Sequence, residues 1–205
     1  MKAYLAGPDV FRADAAEIAA RRKALCAAYG VEALHPFDQA LEGLAAHDLA
    51  GAIFRNNIAM MRDADVVIAE LTPFRSPSAD PGTAFELGFA FAGGKPVYGF
   101  SDAPEPLFER TVGSVSRDSL EALPDGRLLL ADGLVIEDFG LADNLMLIEA
   151  ITTSGGRFFT SEGGPWTAPG LDPFEACLAA ASRRLAFAAA AEPPTHKKTA
   201  GTTHG

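Results

Sequence analysis

Asp65-Val66-Val67-Ile68-Ala69-Glu70-Leu71, then a loop over Thr72 to Ala79, then Asp80-Pro81, is the stretch on which the fold turns. Val66 to Ala69 is apolar on both alternating faces, the pattern of a strand buried inside a parallel sheet. Asp is a favoured helix N-cap and Pro a favoured first helical residue, so a helix is expected to open at Asp80-Pro81. It is expected to run to about Gly93-Gly94, with the next strand at Pro96 to Phe100. Strand, loop, helix and strand make one βαβ unit.

Outward from that unit the pattern repeats. Lys2 to Ala6 reads as a short buried strand stopped by Gly7-Pro8, and Asp14 to Tyr29 as a helix ended by Gly30. Val31 to His35 is a second short strand, and Leu49 to Arg62 has helical character. Arg127 to Ala131 and Leu134 to Glu137 are β-like, Leu145 to Ile151 is a short helix, and Pro173 to Ala191 is an Ala-rich helix. Residues 152–171, rich in Gly and holding Trp166, read as a surface loop, with a cover over the site as the alternative. The expectation is one doubly wound, flavodoxin-like α/β domain over residues 1–191, with a five-stranded, mostly parallel sheet. Glu192 to Gly205, with Pro-Pro, Lys-Lys and small polar residues, is expected to be a disordered tail. Ligands of such sheets bind beyond the carboxyl ends of the strands, where strand order reverses. The segments to watch are therefore Gly7 to Phe11, Pro36 to Gln39, Thr72 to Asp80 and Ser101 to Pro106.

The chain has 205 residues, 48% of them hydrophobic, enough for a proper core. A net charge of −10 argues against a nucleic-acid surface, which needs clustered Lys and Arg, and suits a small neutral or cationic ligand. Cys26 and Cys177 are far apart, lack metal-ligand spacing and read as buried thiols. No metal and no cofactor is expected. No stretch resembles a signal peptide or reaches the ~20 apolar residues that span a bilayer, so a cytoplasmic location is expected.

One carboxylate stands out. In Pro81-Gly82-Thr83-Ala84-Phe85-Glu86-Leu87-Gly88-Phe89-Ala90-Phe91-Ala92-Gly93, Glu86 is the only ionisable side chain. Its neighbours one turn away are Gly82, Thr83, Phe89 and Ala90, three of them small, which leaves space around it. A carboxylate in so apolar a helix is costly unless paired or used. It lies in the second turn of a helix that opens at the carboxyl edge of the sheet. The plain alternative is a Glu pointing into water or meeting an Arg. For Asp80 the plain reading is the helix cap, a role compatible with offering its second oxygen to a ligand.

Asp80 to Ala90 resembles the Asp-x-Gly-x-x-x-Glu-x-Gly-x-Ala segment of nucleoside 2-deoxyribosyltransferases. Three further segments are similar to that family, in the same order: Tyr4-Leu5-Ala6-Gly7-Pro8 with Phe11; Asn57-Ile58 through Asp63 to Ala69; and Asp138 to Leu147 with its Asn144-Leu145-Met146. The likeness spans roughly Lys2 to Ile148 and leans to the variety found in kinetoplastids and some bacteria. It implies an enzyme moving 2-deoxyribose between nucleobases, with Glu86 as the nucleophile of a retaining double displacement. It also implies that Tyr4 orients Glu86, that Asp80 accepts a hydrogen bond from the sugar 5-hydroxyl, and that Gly7, Phe11, Asn57 and Gly82 contact substrate. Asn144 would be donated into the site of a neighbouring subunit, making the active unit a homodimer or larger. The partners implied are deoxynucleosides and free nucleobases, with no nucleic acid and no membrane.

The likeness has one departure. Asn57 stands where the short bacterial enzymes have an Asp beside the departing base, and an amide cannot act as a general acid. Either another acid such as Asp9 or a water serves, or Asn57 only reads the base edge. Phe11, Pro36, Phe37, Asp38 and Phe74 are expected around the base. Hydrolases of deoxynucleoside 5-monophosphates resemble this fold but usually carry Ser at the Asp80 position, facing the phosphate. An Asp ~4 Å from a phosphate dianion would be repelled, so Asp80 favours a nucleoside; Ser76 and Ser78 remain as phosphate ligands only if that is wrong. The alternatives carried are an N-glycosidase on deoxynucleosides or their 5-monophosphates, and a non-catalytic nucleotide sensor.

Overall fold

The computed structural model describes residues 1–38, 45–161, 166–168 and 170–191. The tail expected at 192–205, and Gln39 among the strand-end residues, lie outside the described residues. In chain order the elements are β1 (Lys2–Ala6), α1 (Ala15–Ala28), β2 (Glu32–Leu34), α2 (Ala46–Asp63), β3 (Val66–Glu70), α3 (Pro81–Ala92) and β4 (Val97–Ser101). Then follow α4 (Leu107–Gly113), β5 (Leu120–Ala122), β6 (Leu128–Leu130), α5 (Leu145–Thr153), β7 (Phe158–Thr160) and α6 (Pro173–Ala191).

Five strands form one sheet in the order β2-β1-β3-β4-β7, every neighbouring pair parallel. The doubly wound fold read from the sequence is the one observed, with a wholly parallel sheet. β5 and β6 pair antiparallel in a separate ribbon, and the run Leu134 to Glu137 adds a single bridge there, Leu129 to Val135. The fifth strand of the sheet, β7, lies inside 152–171, so that segment is not simply a surface loop. Its edge position and length of three residues leave too little alternation to announce a strand.

Side chains alternate across the strands and divide the core in two. Ala3, Leu5, Val66 and Ile68 pack with Cys26 of α1 and with Cys177 and Leu178 of α6. Tyr4, Ala6, Val67 and Ala69 face the other way, toward Met61 of α2, Leu87 of α3 and Ile151 of α5. Both thiols are free and buried, as expected. β2 and β3 flank β1 on opposite sides, so strand order reverses at β1 and β3, and the loops that follow these two strands border the same crevice.

Candidate active site

The alternation of β1 decides where the site begins. Tyr4 is fully buried on the α2–α3–α5 side of the sheet, and its hydroxyl donates to Glu86 Oε1 at 2.6 Å. α3 carries Glu86 to that meeting point. Its start is fixed by Asp80, which accepts from the Thr83 amide at 2.8 Å and from Thr83 Oγ1 at 3.2 Å, and by Pro81 in the first turn. From α2, Asn57 Nδ2 donates to the same Glu86 oxygen at 3.2 Å. Both bonds fall on Oε1, and Oε2 accepts none among the described residues.

These contacts set the acidity of the pair. Burial pushes the Glu86 carboxyl up to about 7; the bonds from Tyr4 and Asn57 oppose the rise, while the negative charges of Asp80 and Asp9 add to it. Burial, then the adjacent Glu86 charge, pushes the Tyr4 hydroxyl far above its ordinary value. Tyr4 is therefore a permanent donor and cannot act as a base.

A cavity of about 450 Å³ opens over Glu86. Gly7, Val10 and Phe11 wall it from the loop after β1, Pro36 and Phe37 from the turn after β2, Ile53 and Asn57 from α2, and Asp80, Gly82 and Thr83 from the start of α3. Position 82 admits no side chain without disturbing the cap, because a Cβ there would stand 2.8 Å from Asp80 Oδ2. A larger cleft, about 650 Å³, lies on the α1–α6 side of the sheet between Arg21, Leu25 and Phe174. It holds none of the residues named for the chemistry. Size alone does not choose the site; the carboxylate does.

Seven of the eight residues singled out in the sequence, all but Asn144, thus converge on Glu86 and its cavity. Asn144 instead caps α5, accepting from the Met146 amide at 3.0 Å while its Nδ2 donates to Glu137 at 2.9 Å. Of the residues expected around the base, Phe74 reaches the cavity only through Phe11, on which it stacks with ring centres 5.2 Å apart, and Asp38 is tied to Lys23 and the His35 amide. Ser76 donates to the Ser78 carbonyl and Ser78 donates to Asp143, and neither residue lines the cavity.

Asp9 is not a proton donor to the cavity. It is 3% exposed, lies outside the lining and meets Arg22 at 2.8 Å and His35 at 3.3 Å. Burial raises its carboxyl, but the contacts with His35 and Arg22 together outweigh that and hold it below its ordinary value. Arg22 reaches on to Glu70 at the end of β3, at 2.5 Å, and lies over the rings of Phe100 and Phe174. The network of Asp9, Arg22, Glu70 and His35 ties the loop after β1 to the strand beside it. Its one legible sign in the sequence was Glu70, a carboxylate ending an apolar strand, open to the same argument as Glu86. No group of His, Cys, Asp and Glu among the described residues forms a metal site.

A family model described as nucleoside 2-deoxyribosyltransferase matches residues 3–146. A protein of Schizosaccharomyces pombe whose function is uncharacterised is 34% identical over 164 residues, which cover 75% of this chain and 78% of the yeast protein. Among solved structures, a 2-deoxyribosyltransferase from Leishmania mexicana is similar with a TM-score of 0.57 and 33% identity, over 90% of this chain and 97% of that one.

Proposed function

The chain belongs to the nucleoside 2-deoxyribosyltransferase family, and we propose that it moves 2-deoxyribose between nucleobases by double displacement through Glu86. The observation that carries this reading is the pair of hydrogen bonds on one oxygen of Glu86, from Tyr4 at 2.6 Å and Asn57 at 3.2 Å, beneath an open cavity. They hold the carboxylate in one orientation and leave Oε2 to attack. In the first step Oε2 bonds to the anomeric carbon as the carbon–nitrogen bond to the base breaks, and the electron pair leaves with the base. Asp80 and Glu86 are the only titratable groups among the described lining residues, and Asp80 already accepts two bonds from Thr83. The departing base therefore takes its proton from water. In the second step a nitrogen of an incoming base attacks the same carbon and the ester bond breaks. The carboxylate returns, the nitrogen gives its proton to water, and configuration at the anomeric carbon is retained.

Asp80, at the cavity edge, is assigned to the sugar 5-hydroxyl, and Phe11 with Phe37 to the base. The Leishmania mexicana protein, named a 2-deoxyribosyltransferase, supports the reaction class. Chromatography of the protein with deoxyinosine, with and without free adenine, tests the reading. Deoxyadenosine appearing only with adenine supports transfer. Free hypoxanthine released at equal rates in both tubes would make the protein a hydrolase instead.

A further inference from the structure

The 72–80 loop ends in Asp80, and a largely buried ion pair outside the cavity takes hold of it just before that residue. Arg110, on α4, donates from Nε to the Pro77 carbonyl at 2.9 Å, and from Nη2 to the Ala142 carbonyl at 2.8 Å and to Asp143 Oδ2 at 3.3 Å; Nη1 donates to the Glu105 carbonyl. Asp143, 1% exposed, uses its carboxylate as fully: it accepts from the Ser78 hydroxyl, from the Ala79 amide at 3.1 Å and from the Asn144 amide at 2.7 Å. Three consecutive residues, Pro77, Ser78 and Ala79, are thus each bonded to one or the other member of the pair, and the next residue is Asp80. A guanidinium and a carboxylate buried together are costly to desolvate, so the pair persists only because its remaining donors and acceptors are matched in this way.

We propose that Arg110 and Asp143 form a positioning pair that fixes Asp80 for recognition of the sugar 5-hydroxyl. The inference rests on the assignment of Asp80 made above. Neither residue lines the cavity, so both act through the loop backbone. A planar fork bonded to carbonyls of three separate segments cannot be reproduced by an ammonium, which keeps the charge but not the spread of donors. The substitution Arg110→Lys therefore removes the geometry while retaining the positive charge.

The test compares a 2-deoxynucleoside with its 2,5-dideoxy analogue, which lacks only the hydroxyl in question. For the unaltered protein kcat/KM is expected to favour the hydroxylated substrate. Arg110→Lys is expected to reduce kcat/KM on it about ten-fold or more, since displacements on the order of 1 Å at a positioning contact cost up to about a hundred-fold. Activity on the dideoxy analogue should change less than about two-fold, so the preference collapses. Asp143→Asn is expected to act in the same direction. Asp80→Ala, run alongside, should collapse the same preference, and its combination with Arg110→Lys should add nothing further. If Asp80→Ala collapses the preference and Arg110→Lys leaves it intact, the positioning role is overturned while the Asp80 assignment stands. If Asp80→Ala leaves it intact, the assignment fails and the inference fails with it. Equal losses on both substrates, or loss of folding by circular dichroism in both the Arg110 and the Asp143 variants, would make the pair a matter of general stability and overturn the proposal.

Discussion

At Glu86 burial and hydrogen bonding pull in opposite directions, and burial wins: the carboxyl stands at about 7 rather than at its ordinary 4.5. In the proposed mechanism Glu86 attacks as a carboxylate, so kcat/KM is expected to fall as pH drops through about 7, with a limiting slope of one proton. The bond from Tyr4 lowers the carboxyl, so Tyr4→Phe should move this limb to higher pH as well as slow the reaction by about ten-fold to a hundred-fold. A limb that stays in place would deny Tyr4 its hold on Glu86. The sign for stability follows from the same values. Between about 4.5 and about 7 the folded chain binds a proton at Glu86 that the unfolded chain has released, so this residue's contribution to stability falls as pH rises across that window. Glu86→Gln removes the penalty. It should stabilise the fold at pH 8 by on the order of 2 kcal/mol, allowing for water in the cavity, and by nearly nothing near pH 4. Denaturant titrations at the two pH values measure the difference. Glu86, Tyr4, Asp80 and Asn57 were legible because each stands in a motif or breaks an apolar pattern. Arg22, His35 and Arg110 were not, because a polar side chain turned inward shows its purpose only through partners far away in the chain, such as Glu70 for Arg22 and Pro77 for Arg110.

Elements with a clear apolar run could be read from the sequence, the three-residue β2 and β6 among them, whereas α4, β5 and β7 could not. β3 is buried at every position and α3 opens on a cap and a proline, so both were visible. β7 was hidden because parallel pairing to β4 at the sheet edge comes from the tertiary fold, with only three residues to carry a pattern. Its docking depends on Gly156, where a Cβ would fall 1.6 Å from the Val97 carbonyl oxygen. Backbone cannot yield that much, so Gly156→Ala should cost more than about 3 kcal/mol and lower the melting temperature sharply. Little change on calorimetry would mean that β7 does not seat against β4 as described. The network behind the loop after β1 makes a second element-scale prediction. Arg22→Met leaves Asp9 and Glu70 buried without their cation, a change that typically costs about 3–5 kcal/mol. Asp9→Asn should cost less, because Arg22 keeps Glu70.

Across the whole molecule one assigned residue is out of place. Asn144 caps α5 within its own chain, and Phe139 and Met146 on either side of it are 64% and 69% exposed. Large apolar side chains in contact with water around a residue assigned to a neighbouring site fit a homo-oligomer in which that face is covered. Two inactive variants can expose this arrangement. Glu86→Ala supplies an intact Asn144, and Asn144→Ala supplies an intact Glu86. Mixed and allowed to exchange subunits, they should recover up to about a quarter of the unaltered activity if the site is shared within a dimer, because half of the dimers then carry one complete site. No recovery after demonstrated exchange would confine Asn144 to capping α5. The central claim is the covalent step, and intact-protein mass spectrometry after rapid acid quenching of the protein with a deoxynucleoside alone tests it most directly. The mechanism predicts a fraction of chains heavier by one 2-deoxyribosyl group, carried by the peptide that holds Glu86, discharged on adding a free base and absent in Glu86→Ala. Turnover with the Glu86 peptide unmodified at every quench time, or an adduct on another residue, would contradict it.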